Sequence, residues 1–128
     1  RSPAAPRDKK TGRPSPGIVT RRDMPANRME ILKNMLEQNP RDSFARYGLA
    51  MEYANGGELE SAVAEFRALL EFNPDYAAAY FHGGQALEKL GRLEEARQSY
   101  EKGIEVTART GDQHTRGELQ AALDLLPI

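Results

Sequence analysis

The sequence contains no cysteine, which removes disulfides and thiolate-bound metals together and suits a reducing compartment. Histidine is almost as scarce. His82 and His114 are the only two, Glu88 stands six residues beyond His82 rather than one helical turn, and no spacing suggests a metal site. Ser43, Ser61 and Ser99 have no histidine at a distance that suggests a nucleophile and its base. Gly56-Gly57 and Gly83-Gly84 lack the following lysine of a phosphate loop. Long apolar runs are missing too: none approaches the ~20 residues that span a bilayer. The amino end has charges without the apolar stretch of a secretory signal. These absences lead us to expect a non-catalytic, cytoplasmic protein without metal or cofactor. Because the chain begins with Arg1, a removed signal or a longer parent chain is left open.

What is present is distributed unevenly. The formal net charge of −1 over 128 residues combines a basic segment with an acidic body. Residues 1–23 carry seven Lys/Arg against Asp8 and Asp23, and the remaining residues carry eleven against seventeen Asp/Glu. The basic segment also holds Pro3, Pro6, Pro14 and Pro16, with Ile18 and Val19 as its main apolar surface. So little burial cannot offset the entropy of ordering, and residues 1–23 are expected to be a disordered tail. Such a tail could bind nucleic acid or an anionic surface, although the acidic body disfavours nucleic acid as the main partner.

From Pro25 the pattern becomes helical. Met29, Leu32, Met35 and Leu36 form one helical stripe, and Asn39-Pro40 ends it, since a residue before proline is pushed out of the α region. One constant shift then brings the sequence into register with itself. Leu32, Phe66 and Tyr100 form one series; Leu36, Leu70 and Ile104 a second; Glu37, Glu71 and Glu105 a third. Pro40 matches Pro74, Tyr47 matches Phe81, Gly57 matches Gly91, Leu59 matches Leu93, and Ala62 matches Ala96. A period of about 34 residues is the mark of a stacked helical repeat.

Each period has room for two helices. The first spans about Ser43 to Asn55, with Asp42 or Ser43 as its cap, and Gly56-Gly57 closes it. The second spans about Glu58 to Phe72. The next period repeats the plan, with Asp75 expected as a cap, Gly91 as a break and a helix starting near Arg92. Small residues fall where the helices of a pair must cross: Ala50 and Gly84 against Ala62 and Ala96. Tyr53, Phe66, Leu87 and Tyr100 fill the space around them. One pair cannot bury its own apolar face, so neighbouring pairs must stack.

The residues resemble the tetratricopeptide-repeat (TPR) family, whose signature is W-x2-L-G-x2-Y, A-x3-F and P in each repeat. The first unit reads Arg46, Leu49, Ala50, Tyr53, Ala62, Phe66 and Pro74; the second reads Tyr80, Gly83, Gly84, Leu87, Ala96, Tyr100 and Ala108. The resemblance implies an all-α, right-handed α-solenoid of antiparallel helix pairs with about six helices. Its divisions are a helix of an incomplete leading repeat at 24–42, units at 43–76 and 77–110, and a capping helix at 111–128. Three departures from the pattern bear on the packing. Arg46 replaces an aromatic residue, Gly83 replaces a leucine and loosens the packing between units, and Ala108 replaces the proline, so that the last helix of the pair runs on towards Gly111-Asp112.

The resemblance also implies where a partner sits. The first helix of each TPR pair lines a concave groove. The corresponding positions are Phe44, Tyr47, Met51, Ala54 and Asn55, then Ala78, Phe81, Gln85, Glu88 and Lys89. Phe44, Tyr47 and Phe81 could equally be extra core. The lysine–asparagine clamp with which some members hold chaperone carboxylates is not matched, because Tyr47, Met51, Phe81 and Gln85 occupy those places. The expected function is therefore a protein-binding scaffold or adaptor that takes a peptide or helix in an apolar groove. A small structural subunit of a larger assembly is the alternative, and self-association through an end helix is compatible with either.

Overall fold

The structure, a computed structural model, describes residues 23–128, with side chains from residue 28 onward. The basic proline-rich segment therefore lies, apart from Asp23, outside the described residues. Regular structure among the described residues is entirely helical: α1 (Asp23–Gln38), α2 (Ser43–Asn55), α3 (Leu59–Phe72), α4 (Ala77–Lys89), α5 (Leu93–Thr110) and α6 (Gln113–Leu125). The chain divides into two compact units, Arg1–Ile31 and Leu32–Ile128. In the first unit the described residues are the opening turns of α1, and Ile31 is largely exposed there. All that follows concerns the second unit.

Helix boundaries follow from local chemistry. Asp42 caps α2 by accepting a hydrogen bond from the Ala45 N–H at 3.0 Å, and Asp112 does the same for α6 through Thr115, in each case satisfying one of the free N–H groups of the first turn. The turns inside the two pairs pass through Gly57 (φ 83°) and Gly91 (φ 80°), a left-handed backbone that costs glycine little. Without a proline at position 108, α5 continues to Thr110 and closes on Gly111.

The expectation that Asp75 caps α4 is corrected. The capping position is Tyr76, which makes no side-chain hydrogen bond to the helix, and the Asp75 carboxylate instead pairs with the Arg109 guanidinium on α5. The repeat register contains the reason. It places Asp42 on Tyr76 and Arg41 on Asp75, so the acid stands one residue too early to reach the helix.

The core forms where small residues admit large ones. Ala50, Ala62, Phe66, Leu69 and Ala79 pack as one buried cluster between α2, α3 and α4. Val63, Tyr80, Leu87, Ala96, Tyr100, Val106, Leu119 and Leu126 belong to a second, which α6 completes. Two glycines make this second cluster possible. A Cβ on Gly84 would stand 2.3 Å from Cε1 of Tyr100, and one on Gly103 would stand 2.8 Å from both Tyr80 and Leu119. Neither position has room for a side chain. At the other end, Leu32 of α1 is buried and lies over Gly48 of α2.

Candidate functional site

The first helices of the two pairs, α2 and α4, carry the residues expected to line the groove, and helical spacing sets Tyr47, Met51 and Asn55 in one row. From α4, His82, Gln85 and Lys89 form the facing row. Between these rows lies a small hollow of about 70 Å³, lined by Met51, Ala54, Asn55, Leu59, His82, Gln85, Ala86 and Lys89. Its floor is apolar, and its polar rim comes from two amides, an imidazole and an ammonium group.

Beside the hollow runs a chain of rings. Tyr47 stands 5.2 Å from Tyr76, 6.2 Å from Phe66 and 6.0 Å from His82, centroid to centroid. His82 in turn meets Phe81 edge-on at 5.1 Å, and Phe81 lies 6.5 Å from the buried ring of Tyr100. Tyr47, Phe81 and His82 are each half-buried, so they are shared between core and surface. Phe44 differs: it is 71% exposed at the start of α2. Ala78 is half-buried in the first turn of α4.

The expected site residues thus separate into groups. Met51, Asn55, Gln85 and Lys89 are brought together around the hollow, with Ala54. Tyr47 and Phe81 belong to the ring chain next to it, while Phe44 is exposed at the start of its helix. Glu88 is turned elsewhere, because its carboxylate accepts a hydrogen bond of 2.7 Å from the Tyr100 hydroxyl. That bond and burial together push the Tyr100 phenol far above its ordinary range, burial contributing most.

His82 is the residue that sequence reasoning weighed only as a metal ligand or a catalytic base, not as a groove residue. It lines the hollow and joins the rings of α2 to those of α4. Burial lowers its pKa, and a hydrogen bond with Gln85 and the charge of Glu118 on α6 act in the opposite sense without cancelling the shift. The shift favours the neutral imidazole. A signal was available in the sequence: His82 follows Phe81 and precedes Gln85 by three, which puts it on the groove side of α4. Among the described residues no group of three or more His, Cys, Asp or Glu is placed to hold a metal ion, and no helix is long and apolar enough to cross a membrane.

Away from the groove many of the charges on α3 and α5 are paired. Arg92 bonds Glu95 and Glu60, Arg67 bonds Glu95, and Arg97 bonds Glu94 and Glu101. Two arginines on one carboxylate hold the Glu95 pKa down to about 2, hydrogen bonding being the main cause. Arg46, at the aromatic position of the repeat pattern, pairs with Glu65 at 2.8 Å and lies over the Phe72 ring.

Comparison with known proteins agrees with this architecture. A family model described as TPR repeat matches residues 51–91, and one described as tetratricopeptide repeat matches residues 77–110. A TPR repeat-containing protein of Pseudomonas aeruginosa is 30% identical over 95 residues, covering 74% of this chain and 90% of that protein. Among solved structures, a tetratricopeptide repeat domain protein from Salinibacter ruber is 38% identical with a TM-score of 0.65, over 70% of this chain and 90% of its own. A Bordetella parapertussis protein gives 34% identity and a TM-score of 0.68, over 77% and 85%.

Proposed function

Because the chain belongs to the tetratricopeptide-repeat family, whose repeats generally mediate protein–protein interaction, we propose that it is a non-catalytic binding module whose α2–α4 groove receives an apolar peptide or helix of a partner protein. The observation that carries this reading is the half-covered chain of rings, Tyr47, His82 and Phe81, next to the hollow, with Phe44 exposed on the same helix as Tyr47. Rings held in place by a core lose little freedom on binding, and aromatic anchors with a polar rim are typical of interaction surfaces. Asn55, Gln85 and Lys89 supply that rim and can bond the main chain of an extended segment. The partner would act as scaffold client or as a neighbouring subunit, and the fold alone does not choose between them.

The test is affinity capture from native extract with quantitative mass spectrometry. Tyr47 and Phe81 pack against Phe66 and Tyr100, so charging them would disturb the core. Phe44→Glu combined with Gln85→Glu changes exposed groups only and should leave helicity and melting near wild type. A partner held by the wild type and lost by this variant supports the groove; equal recovery by both moves the binding surface elsewhere.

A further inference from the structure

A second hollow opens on the opposite face of α4. Residues 79, 80, 83 and 87 lie about half a helical turn from the groove row 81, 82 and 85, and they floor a cleft of about 290 Å³ between α3 and α5. Val63, Phe66, Leu70, Gly83 and Leu87 give it an apolar interior. Arg67, Glu95 and Gln98 stand among its polar lining residues.

Gly83 explains why the cleft exists. It occupies the position at which the repeat pattern has leucine, and its counterpart Leu49 in the first unit is buried at 4% exposure. A Cβ on Gly83 would meet Phe66 at 3.5 to 3.6 Å, an ordinary contact distance, so a methyl group fits where none is present. The volume lies just below the ~300–1,000 Å³ of pockets for small organic ligands, a size suited to one or two side chains. Charge narrows the choice. The arginine and the carboxylate are already bonded to each other, and Arg92 bonds the same carboxylate, so neither is left free to compensate a buried charge.

We propose that this cleft is a second docking site, independent of the groove, which takes the uncharged leucine-type side chain of a helix from a protein partner. The partner restores the layer that the chain omits at Gly83. Its helix lies along the furrow between α3 and α5, with polar flanks against Arg67, Glu95 and Gln98.

The probe is a soluble alanine–lysine–glutamate helical peptide with one central leucine, titrated against the full isotope-labelled chain and followed by amide chemical shifts. We expect shifts at Val63, Leu70, Gly83 and Leu87, absent when the leucine is replaced by alanine or lysine. Gly83→Leu fills the cleft from within and should weaken the response by roughly tenfold or more, with unchanged shifts around Tyr47 and Met51. If leucine overfills the site and disturbs folding, Gly83→Ala, with its methyl at ordinary contact distance, should still weaken the response. Undiminished binding by both variants would overturn the proposal, as would a lysine peptide that binds as well, or no shift at millimolar peptide. Concentration-dependent self-association of the wild type that Gly83→Leu abolishes would assign the cleft to a second copy and overturn a foreign partner.

Discussion

The two helix pairs, α2/α3 and α4/α5, follow one repeat pattern but fill their crossings differently. In the first, Phe66 packs in a cluster with Ala50 and Ala62, and the position equivalent to Glu88 is Ala54. In the second, the same places hold Tyr100, Gly84, Ala96 and Glu88, and the tyrosine hydroxyl donates to the glutamate. Ring and partner have changed together. A phenol buried without an acceptor would cost about 1–3 kcal/mol, so a tyrosine at this crossing requires an acceptor one layer away, and a phenylalanine does not. The same exchange recurs beside it: Arg46 with Glu65 in the first pair corresponds to Tyr80 with Ser99 in the second, where Tyr80 bonds Pro74 and Ser99 bonds the Tyr80 carbonyl. At these two crossings the repeats diverge by polar pairs, whereas at Leu49 and Gly83 a single residue differs.

The comparison is broken most severely by removing a ring. Tyr100→Ala should lower stability by about 3–5 kcal/mol, read by chemical denaturation. The effect should exceed that of Phe66→Ala, since it also strands the Glu88 carboxylate. A smaller and sharper test converts the second pair into the first. Glu88→Ala alone should cost about 1–3 kcal/mol by leaving the hydroxyl unpaired, and Glu88→Ala with Tyr100→Phe should recover most of that loss. A double-mutant cycle that is simply additive would show that the two residues are not coupled.

The smallest expected effect concerns the groove. His82 has its pKa lowered on folding, so between its folded value and the unfolded value near 6.5 the unfolded chain binds more protons. Its contribution is fully present above about pH 6.5 and is lost as pH falls through the folded pKa. His82→Gln should therefore flatten the stability profile just below pH 6.5, with Asp and Glu titration still visible lower down. An unchanged profile would mean that the imidazole is not desolvated. Tyr47 and Phe81 face this ring from α2 and α4, so the profile also reports whether these two helices hold the groove together.

Periodicity made most of this fold legible. Side-chain size repeats once per helix pair because each pair must bury the same face against the next, and breaks such as Gly56-Gly57, Gly91 and Asn73-Pro74 depend on backbone chemistry alone. The groove was only partly legible. Register placed Met51, Asn55, Gln85 and Lys89 on one surface, and His82 with them, but it could not tell that Glu88, next to Lys89, turns to Tyr100. Which way a half-buried side chain turns depends on partners distant in sequence.

The sequence by itself determined the helices, their pairing and the family, because these rest on local backbone preferences and on a repeating apolar face. Only the tertiary structure decided where Asp75 finds its partner, which ring Gly84 and Gly103 admit, and that the missing leucine at Gly83 leaves an open cleft. Each of these is a contact between helices, set by ångström-scale distances that a one-dimensional pattern does not contain.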